Sequence, residues 1–181
     1  MRGPENPGIV IERGARPLGS GRTQRLFSWA QSPALLIRGG RVVDPSQRLD
    51  QMADLLVVAG RIAGIGADLA APEGAAVFNA QGLVVAPGLV DVHAHLRDPG
   101  FPEKETLETG ATAAAAGGFT TICCMPNTEP PLDTPERVAD VVTRSRHLPV
   151  RVYPIGAISR GRQGLELADL EGMAEAGAIG F

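Results

Sequence analysis

The sequence predicts an α/β protein in which a small all-β unit comes first and a β-α-β-α-β-α-β run follows. Two observations carry this. Short apolar runs separated by Gly and Pro crowd residues 34 to 86, the pattern of brief strands and tight turns. After Pro87-Gly88 the apolar period lengthens, and strand-like runs alternate with helical stripes. Strands alternating with helices argue for a parallel sheet covered by helices. That leaves two architectures open, an open doubly wound sheet and a (β/α)8 barrel.

The elements follow in order. Residues 1 to 33 carry Arg2, Arg13, Arg16, Arg22 and Arg25 against only Glu5 and Glu12, with scattered Gly and Pro. An Arg-rich, acid-poor stretch fits a transit peptide, but the lack of any period favours an irregular extension or a misassigned start. From residue 34 to 86 an all-β unit is expected, one sheet of a sandwich. Ala34 to Arg38 meets Arg41 to Asp44 across Gly39-Gly40, which reads as a tight hairpin. Leu55 to Val58 and Arg61 to Ile65 form a second hairpin around Gly60, and Val77 to Asn79 and Leu83 to Val85 add two short strands.

Residues 87 to 181 form the second unit. Leu89 to His95 reads as a strand, and a helix is expected from Glu103 to Ala116, closed by Gly117-Gly118. Thr120 to Met125 is the next strand. Thr134-Pro135 is an N-cap followed by Pro at the first helical position, and Val138, Val141 and Val142 then repeat at helical spacing. Val150 to Ile158 reads as a strand, Leu167, Leu170, Met173 and Ala174 stripe a third helix, and Ala178 to Phe181 begins a fourth strand. Roughly 95 residues follow Pro87, against the ~250 of a full barrel, so only part of one is expected.

Composition excludes several classes of partner. The net charge of −3 gives no electrostatic reason to bind nucleic acid or an anionic membrane. No apolar run approaches the ~20 residues of a membrane span, and the amino terminus lacks a signal-peptide core. Cys123 and Cys124 are the only cysteines. Neighbouring strand residues face opposite ways, so they read as reduced core residues, not as a chelating or bridged pair. A cytoplasmic location is expected.

Chemistry concentrates after the first two strands of the second unit. His93 and His95 are two apart on a strand, so both side chains leave one face, and neutral imidazoles suit Zn²⁺. A bare pair of this kind also fits two packed or hydrogen-bonded histidines. Arg97 follows in Leu96-Arg97-Asp98-Pro99-Gly100, where its planar fork can grip a carboxylate or simply pair with Asp98. Asn127, in Met125-Pro126-Asn127-Thr128, can donate and accept from one amide, or merely form the turn ahead of Glu129-Pro130-Pro131. Two loops at the same end of adjacent strands, each with a polar reader, make a pocket. Lys104 and His147 are poor ligand candidates: one opens a helix, the other ends one.

The run from Pro87 through Asp91-Val92-His93-Ala94-His95-Leu96-Arg97-Asp98-Pro99-Gly100 resembles the first barrel strand and loop of the amidohydrolase superfamily. With Lys104-Glu105-Thr106, Ala115 to Thr121 and Met125 to Thr128, it resembles the dihydroorotase family over residues 34 to 181. The resemblance implies an incomplete (β/α)8 TIM-type barrel of about three βα units and the start of a fourth strand, preceded by a small β-sandwich-like domain. It implies a binuclear zinc site in which His93 and His95 hold the more buried ion, while Arg97 and Asn127, beside His95, hold the substrate α-carboxylate. The activity implied is the reversible interconversion of dihydroorotate and N-carbamoyl-L-aspartate in pyrimidine biosynthesis. The family's bridging group, two further histidines and a proton-shuttling aspartate have no counterpart here; the bridging Asp is expected just beyond Gly177-Ala178-Ile179-Gly180-Phe181. No catalytic residue is therefore expected within the chain, which reads as truncated and inactive alone. The alternatives are a non-catalytic subunit supporting aspartate transcarbamoylase and a hydantoinase- or allantoinase-type enzyme. A homo-oligomer is compatible with any of these.

Overall fold

The computed structural model describes the backbone of Ile9–Glu12 and residues 33–181. The chain divides into two compact units, 1–87 and 88–181.

The first unit is one mixed sheet among the described residues. Its strands are β1 (Ile9–Glu12), β2 (Ala34–Asp44), β3 (Leu49–Val58), β4 (Arg61–Gly66), β5 (Ala76–Asn79) and β6 (Val84–Pro87), in the order β1-β6-β2-β3-β4 with β5 also on β2. β1 pairs antiparallel with β6, so the stretch expected to be irregular contributes a strand; the rest of residues 1–32 lies outside the described residues.

Gly39-Gly40 does not turn a hairpin. β2 runs straight through it as one strand of eleven residues, with a bulge between Ile37 and Gly40 in its pairing with β3. Gly39 takes φ +69°, and a Cβ on Gly40 would stand 2.7 Å from Val85 Cγ2, so side chains are excluded at this crossing. The bulge divides the other edge of β2. β5 pairs parallel with Leu35 to Arg38 before it, and β6 pairs parallel with Arg41 and Val42 after it. A glycine pair looks the same in a turn and in a bulge, and only the partners of the flanking residues separate the two. The real reversal lies at the 3-10 turn Pro45–Gln47, where the Asp44 carboxylate accepts from Ser46 N at 3.0 Å and Arg48 takes φ 55°. The β3–β4 hairpin closes at Ala59-Gly60, both at positive φ as a two-residue turn requires. Ile37, Val42, Ala53, Leu55, Ala80 and Val85 form the core of this unit.

The second unit holds a parallel sheet in the order β7-β8-β9, made of β7 (Leu89–Ala94), β8 (Phe119–Cys124) and β9 (Arg151–Pro154). The crossovers carry α1 (Leu107–Ala116) and α2 (Pro135–Ser145), and α3 (Leu170–Glu175) follows β9. α1 starts four residues later than the spacing predicts. Thr106 caps it in a reciprocal box with Thr109, and residues 101–105 form a turn in which the Lys104 ammonium sits 4.6 Å from the Phe101 ring centroid. α2 begins where expected, with Thr134 as N-cap. It buries Val138 and Val141 completely.

β9 stops at Pro154, short of the expected Ile158: Ile155 N still donates to Cys124 O of β8, but beyond it Gly156 N donates to Gly180 O and Ala157 N to Leu132 O. The expected fourth strand forms no ladder, yet Ile179 N already donates to Pro154 O at 3.1 Å. Leu96, Leu107, Ala111, Ile122, Cys124, Leu132, Val141 and Val152 pack between sheet and helices. No described helix is long and apolar enough to cross a membrane.

Candidate functional site at the carboxyl end of the parallel sheet

Parallel strands put their carboxyl ends on one side, so the segments leaving β7 and β8 are neighbours. Backbone bonds tie them together. Met125 N donates to Ala94 O at 2.9 Å, and Glu129 N to Pro99 O at 3.0 Å. Gly100 sits against the second loop at φ +109°, where a Cβ would lie 2.6 Å from Glu129 Cβ and 2.8 Å from Glu129 Cα. Hydrogen at that position is what lets the loops close.

His93 is on β7 and His95 one residue past it; both are exposed at this end. Their rings meet edge to face, with centroids 5.0 Å apart and planes at 70°. His95 Nδ1 lies 2.8 Å from Asn127 Oδ1, across 32 residues of sequence. The backbone N of His93 is held by the Asp91 carboxylate at 2.9 Å. The geometry thus brings His93, His95 and Asn127 together, with Arg97 in the same loop as His95. Among the described residues no group of three or more His, Cys, Asp or Glu is placed to hold a metal.

Arg97 takes φ 59°, a left-handed conformation that few side chains adopt. It does not pair with Asp98. That carboxylate is gripped by both terminal nitrogens of Arg144, at 2.7 and 2.8 Å from α2, and accepts Leu107 N–H from the start of α1 at 3.2 Å. Burial raises the Asp98 carboxyl, but the Arg144 and Leu107 hydrogen bonds and the Arg144 charge outweigh it and hold the group below the ordinary carboxylate value. The Arg97 guanidinium has no carboxylate partner among the described residues and stays available.

Sequence reasoning missed Arg144. Its only sequence signal is a place three residues after the buried Val141 on α2, and nothing in the local pattern names a partner 46 residues away. It also read Asn127 against substrate or turn, without the bond to His95. His147 lies just past α2, in the turn before β9. Cys123 and Cys124 are free and buried. Burial pushes the Cys124 thiol up to about 12, and burial together with the Asp91 charge raises Cys123, so neither is poised to ligate or react.

The arrangement is two imidazoles and an amide, with a guanidinium in the same loop, at the carboxyl end of a parallel sheet. The structure is similar to L-hydantoinase (dihydropyrimidinase) from Arthrobacter aurescens, with a TM-score of 0.69 and 31% identity over 81% of this chain and 32% of that one. It is also similar to a D-hydantoinase from Thermus sp., with a TM-score of 0.53 and 28% identity over 69% of this chain and 28% of the other. The family model for dihydro-orotase-like proteins matches residues 82–181, which include every residue of the site, and the chain belongs to that family. Among its relatives are the dihydroorotases of Solibacter usitatus, 51% identical over 146 residues, and Aquifex aeolicus, 46% identical over 148. These alignments cover 80% and 81% of this chain but 34% and 35% of the relatives, so the chain spans about a third of their length.

Proposed function

We propose that the chain is the amino-terminal part of a dihydroorotase, a cyclic amide hydrolase that interconverts dihydroorotate and N-carbamoyl-L-aspartate. The observation that carries this is the Arg97 guanidinium, without a carboxylate partner among the described residues, in the same loop as His95, whose ring is bound by Asn127. A substrate with a carboxylate needs such a fork, and a bidentate charge-assisted contact supplies both affinity and orientation. A hydantoin ring carries no carboxylate, which favours this substrate over the hydantoinase alternative despite the structural likeness.

The proposed architecture is the first part of a (β/α)8 barrel, from residue 87, preceded by a small β domain over 34–86. Three features support it: the parallel order β7-β8-β9, the backbone bonds of Ile179 and Gly180 that extend that order, and the apolar β7 side chains Val90 and Val92, which are 53% and 69% exposed. Active sites of that fold sit at the carboxyl ends of the strands, where these residues lie.

His93 and His95 fit the first two places of a zinc site. Both are exposed, and the His95 ring is oriented by a neighbour; two ligands do not complete a catalytic site. The remaining ligands and the proton-shuttling aspartate would then lie beyond Phe181. Zinc, when bound, would polarise the ring amide carbonyl and make water nucleophilic near neutral pH. The chain's own residues bind and orient: Arg97 and the Asn127 amide hydrogens take the carboxylate, and the Asp98–Arg144 clamp holds the Arg97 loop in place. Metabolism of a small polar acid of this kind fits a cytoplasmic enzyme.

The test is zinc-dependent hydrolysis of dihydroorotate, with hydantoin in parallel, by the product of the reading frame carried past the Phe181 codon. Turnover of dihydroorotate is expected, with KM raised roughly 10- to 100-fold in Arg97→Gln for the loss of ~1.5–3 kcal/mol of charged hydrogen bonding. Turnover of hydantoin alone would sink the substrate assignment. The 181-residue chain is expected to be inactive by itself, and zinc-dependent turnover by it would overturn the placing of the other ligands beyond Phe181. A supporting role beside aspartate transcarbamoylase would show as association without turnover.

A further inference from the structure

We infer that Asn127 is the positioning residue of His95: its side-chain oxygen holds the imidazole as the Nδ1–H tautomer and leaves Nε2 as the ring's one free lone pair. The inference deepens the metal reading given above and rests on it only for its consequence, since the tautomer follows from the contact itself.

Asn127 Oδ1 lies 2.8 Å from His95 Nδ1. An amide oxygen only accepts, so the ring nitrogen facing it must carry the proton; the other tautomer would set two lone pairs against each other at that distance. A neutral imidazole has one proton to place, and with it on Nδ1 the lone pair of Nε2 is exposed. Turning the amide round would put an NH2 group against Nδ1 and move the ring proton to Nε2, which would then offer no lone pair. The observed contact is therefore the one compatible with ligation through Nε2.

The loop that carries Asn127 is built to keep it there. Met125 N is bonded to Ala94 O, Thr128 is buried with its hydroxyl on Pro130 O at 2.7 Å, and Glu129 N is bonded to Pro99 O. Asn127 thus stands between two anchored neighbours, on the loop facing the histidine. His93 has no such partner on its ring among the described residues, only the edge contact with His95. With Oδ1 engaged by the ring, the two amide hydrogens are left for an anionic acceptor. One residue then links the orientation of a ligand to the binding of a carboxylate, and the two roles use opposite ends of the same amide.

Opposite ends can be separated by substitution. Asn127→Asp keeps an acceptor for Nδ1–H and removes the donors, whereas Asn127→Ala removes both. The experiment is a long-range ¹H–¹⁵N correlation of the imidazoles in the ¹⁵N-labelled 181-residue protein without metal. It is run at about pH 8.5, two units above the ordinary imidazole value, with His95→Gln to assign the signals. The expected result is His95 as Nδ1–H in the parent and in Asn127→Asp, and reversion to Nε2–H, the form favoured in water, in Asn127→Ala. His95 found mainly as Nε2–H in the parent overturns the inference, and so does a tautomer that ignores Asn127→Ala in a protein with otherwise native amide signals. Zinc competition against a chromophoric chelator is then read on the same three sequences in the reading frame carried past Phe181, where the remaining ligands are set. About a tenfold or larger loss is expected in Asn127→Ala and little in Asn127→Asp, the range usual for a residue that orients a ligating histidine. A tautomer that behaves as stated while zinc affinity is the same in all three would count against His95 as a ligand and leave the tautomer assignment standing.

Discussion

Each unit uses a carboxylate in the low-exposure interior to shape an irregular backbone, and the two do so differently. In the β unit, Asp54 accepts Gly39 N–H at 2.8 Å and Leu69 N–H at 3.1 Å, so backbone amides satisfy it and it holds the bulge of β2. In the α/β unit, Asp98 takes one amide but is held chiefly by Arg144, a guanidinium from a helix 46 residues away. The first ties the bulge of β2 and the segment after β4 to β3 through backbone amides. The second cross-links the loop carrying Arg97, the start of α1 and the body of α2. At the bulge the positive φ falls on Gly39, whereas in the loop beside the histidines it falls on Arg97 itself. Arg48 and Ala59 take the same conformation in the turns of the β unit, so the conformation alone does not mark a site.

The sharpest way to break this difference is to separate the two loops. Gly100→Val sets a branched side chain into Glu129 at a φ that disfavours it, and should destabilise the α/β unit by about 3 kcal/mol or more, from overpacking plus backbone strain. Amide exchange should show the loss in β7, β8 and α1, with the β unit unchanged; equal loss in both units would refute the separation.

Asp98→Ala comes next. It leaves Arg144 only its longer 3.5 Å contact with Asp140 and should cost roughly 2 kcal/mol, below the value for a fully buried pair because Arg144 is 37% exposed. The pair also sets an acid limit. Since the folded Asp98 carboxyl lies below its ordinary value, its contribution is whole above about pH 4 and fades as pH falls through the lower folded value. Asp98→Asn should remove that slope, and an unchanged acid dependence in urea titrations would exclude Asp98 as its source.

In the β unit, Asp54→Ala strands two backbone donors and should cost about 1–2 kcal/mol, read as faster exchange at Gly39 and Leu69 with β7 and β8 unaffected. The smallest effect is a reporter that leaves stability untouched. Both cysteines lie in β8 and keep their protons at pH 8, so a thiol reagent should label them only as the α/β unit opens. Prompt labelling of the native protein would contradict their burial.

The sequence by itself determined the elements whose logic is local. Thr134-Pro135 begins α2 because capping and a preset φ act within one turn. The two-residue spacing of His93 and His95 shows that they leave one face, because strand periodicity is local as well. The resemblance carried by Pro87 to Gly100 and Met125 to Thr128 points to the family that the later comparison established.

What only the tertiary structure decided are the partnerships. Gly39-Gly40 lies in a bulge against Val85 of β6 and Ala80 just past β5. Asp98 chose Arg144 over its neighbour Arg97, and Asn127 found His95 across 32 residues. The physical reason is common to all three. Periodicity states which way a side chain faces, whereas a hydrogen bond needs a distance and an angle that exist only once separate segments are packed together.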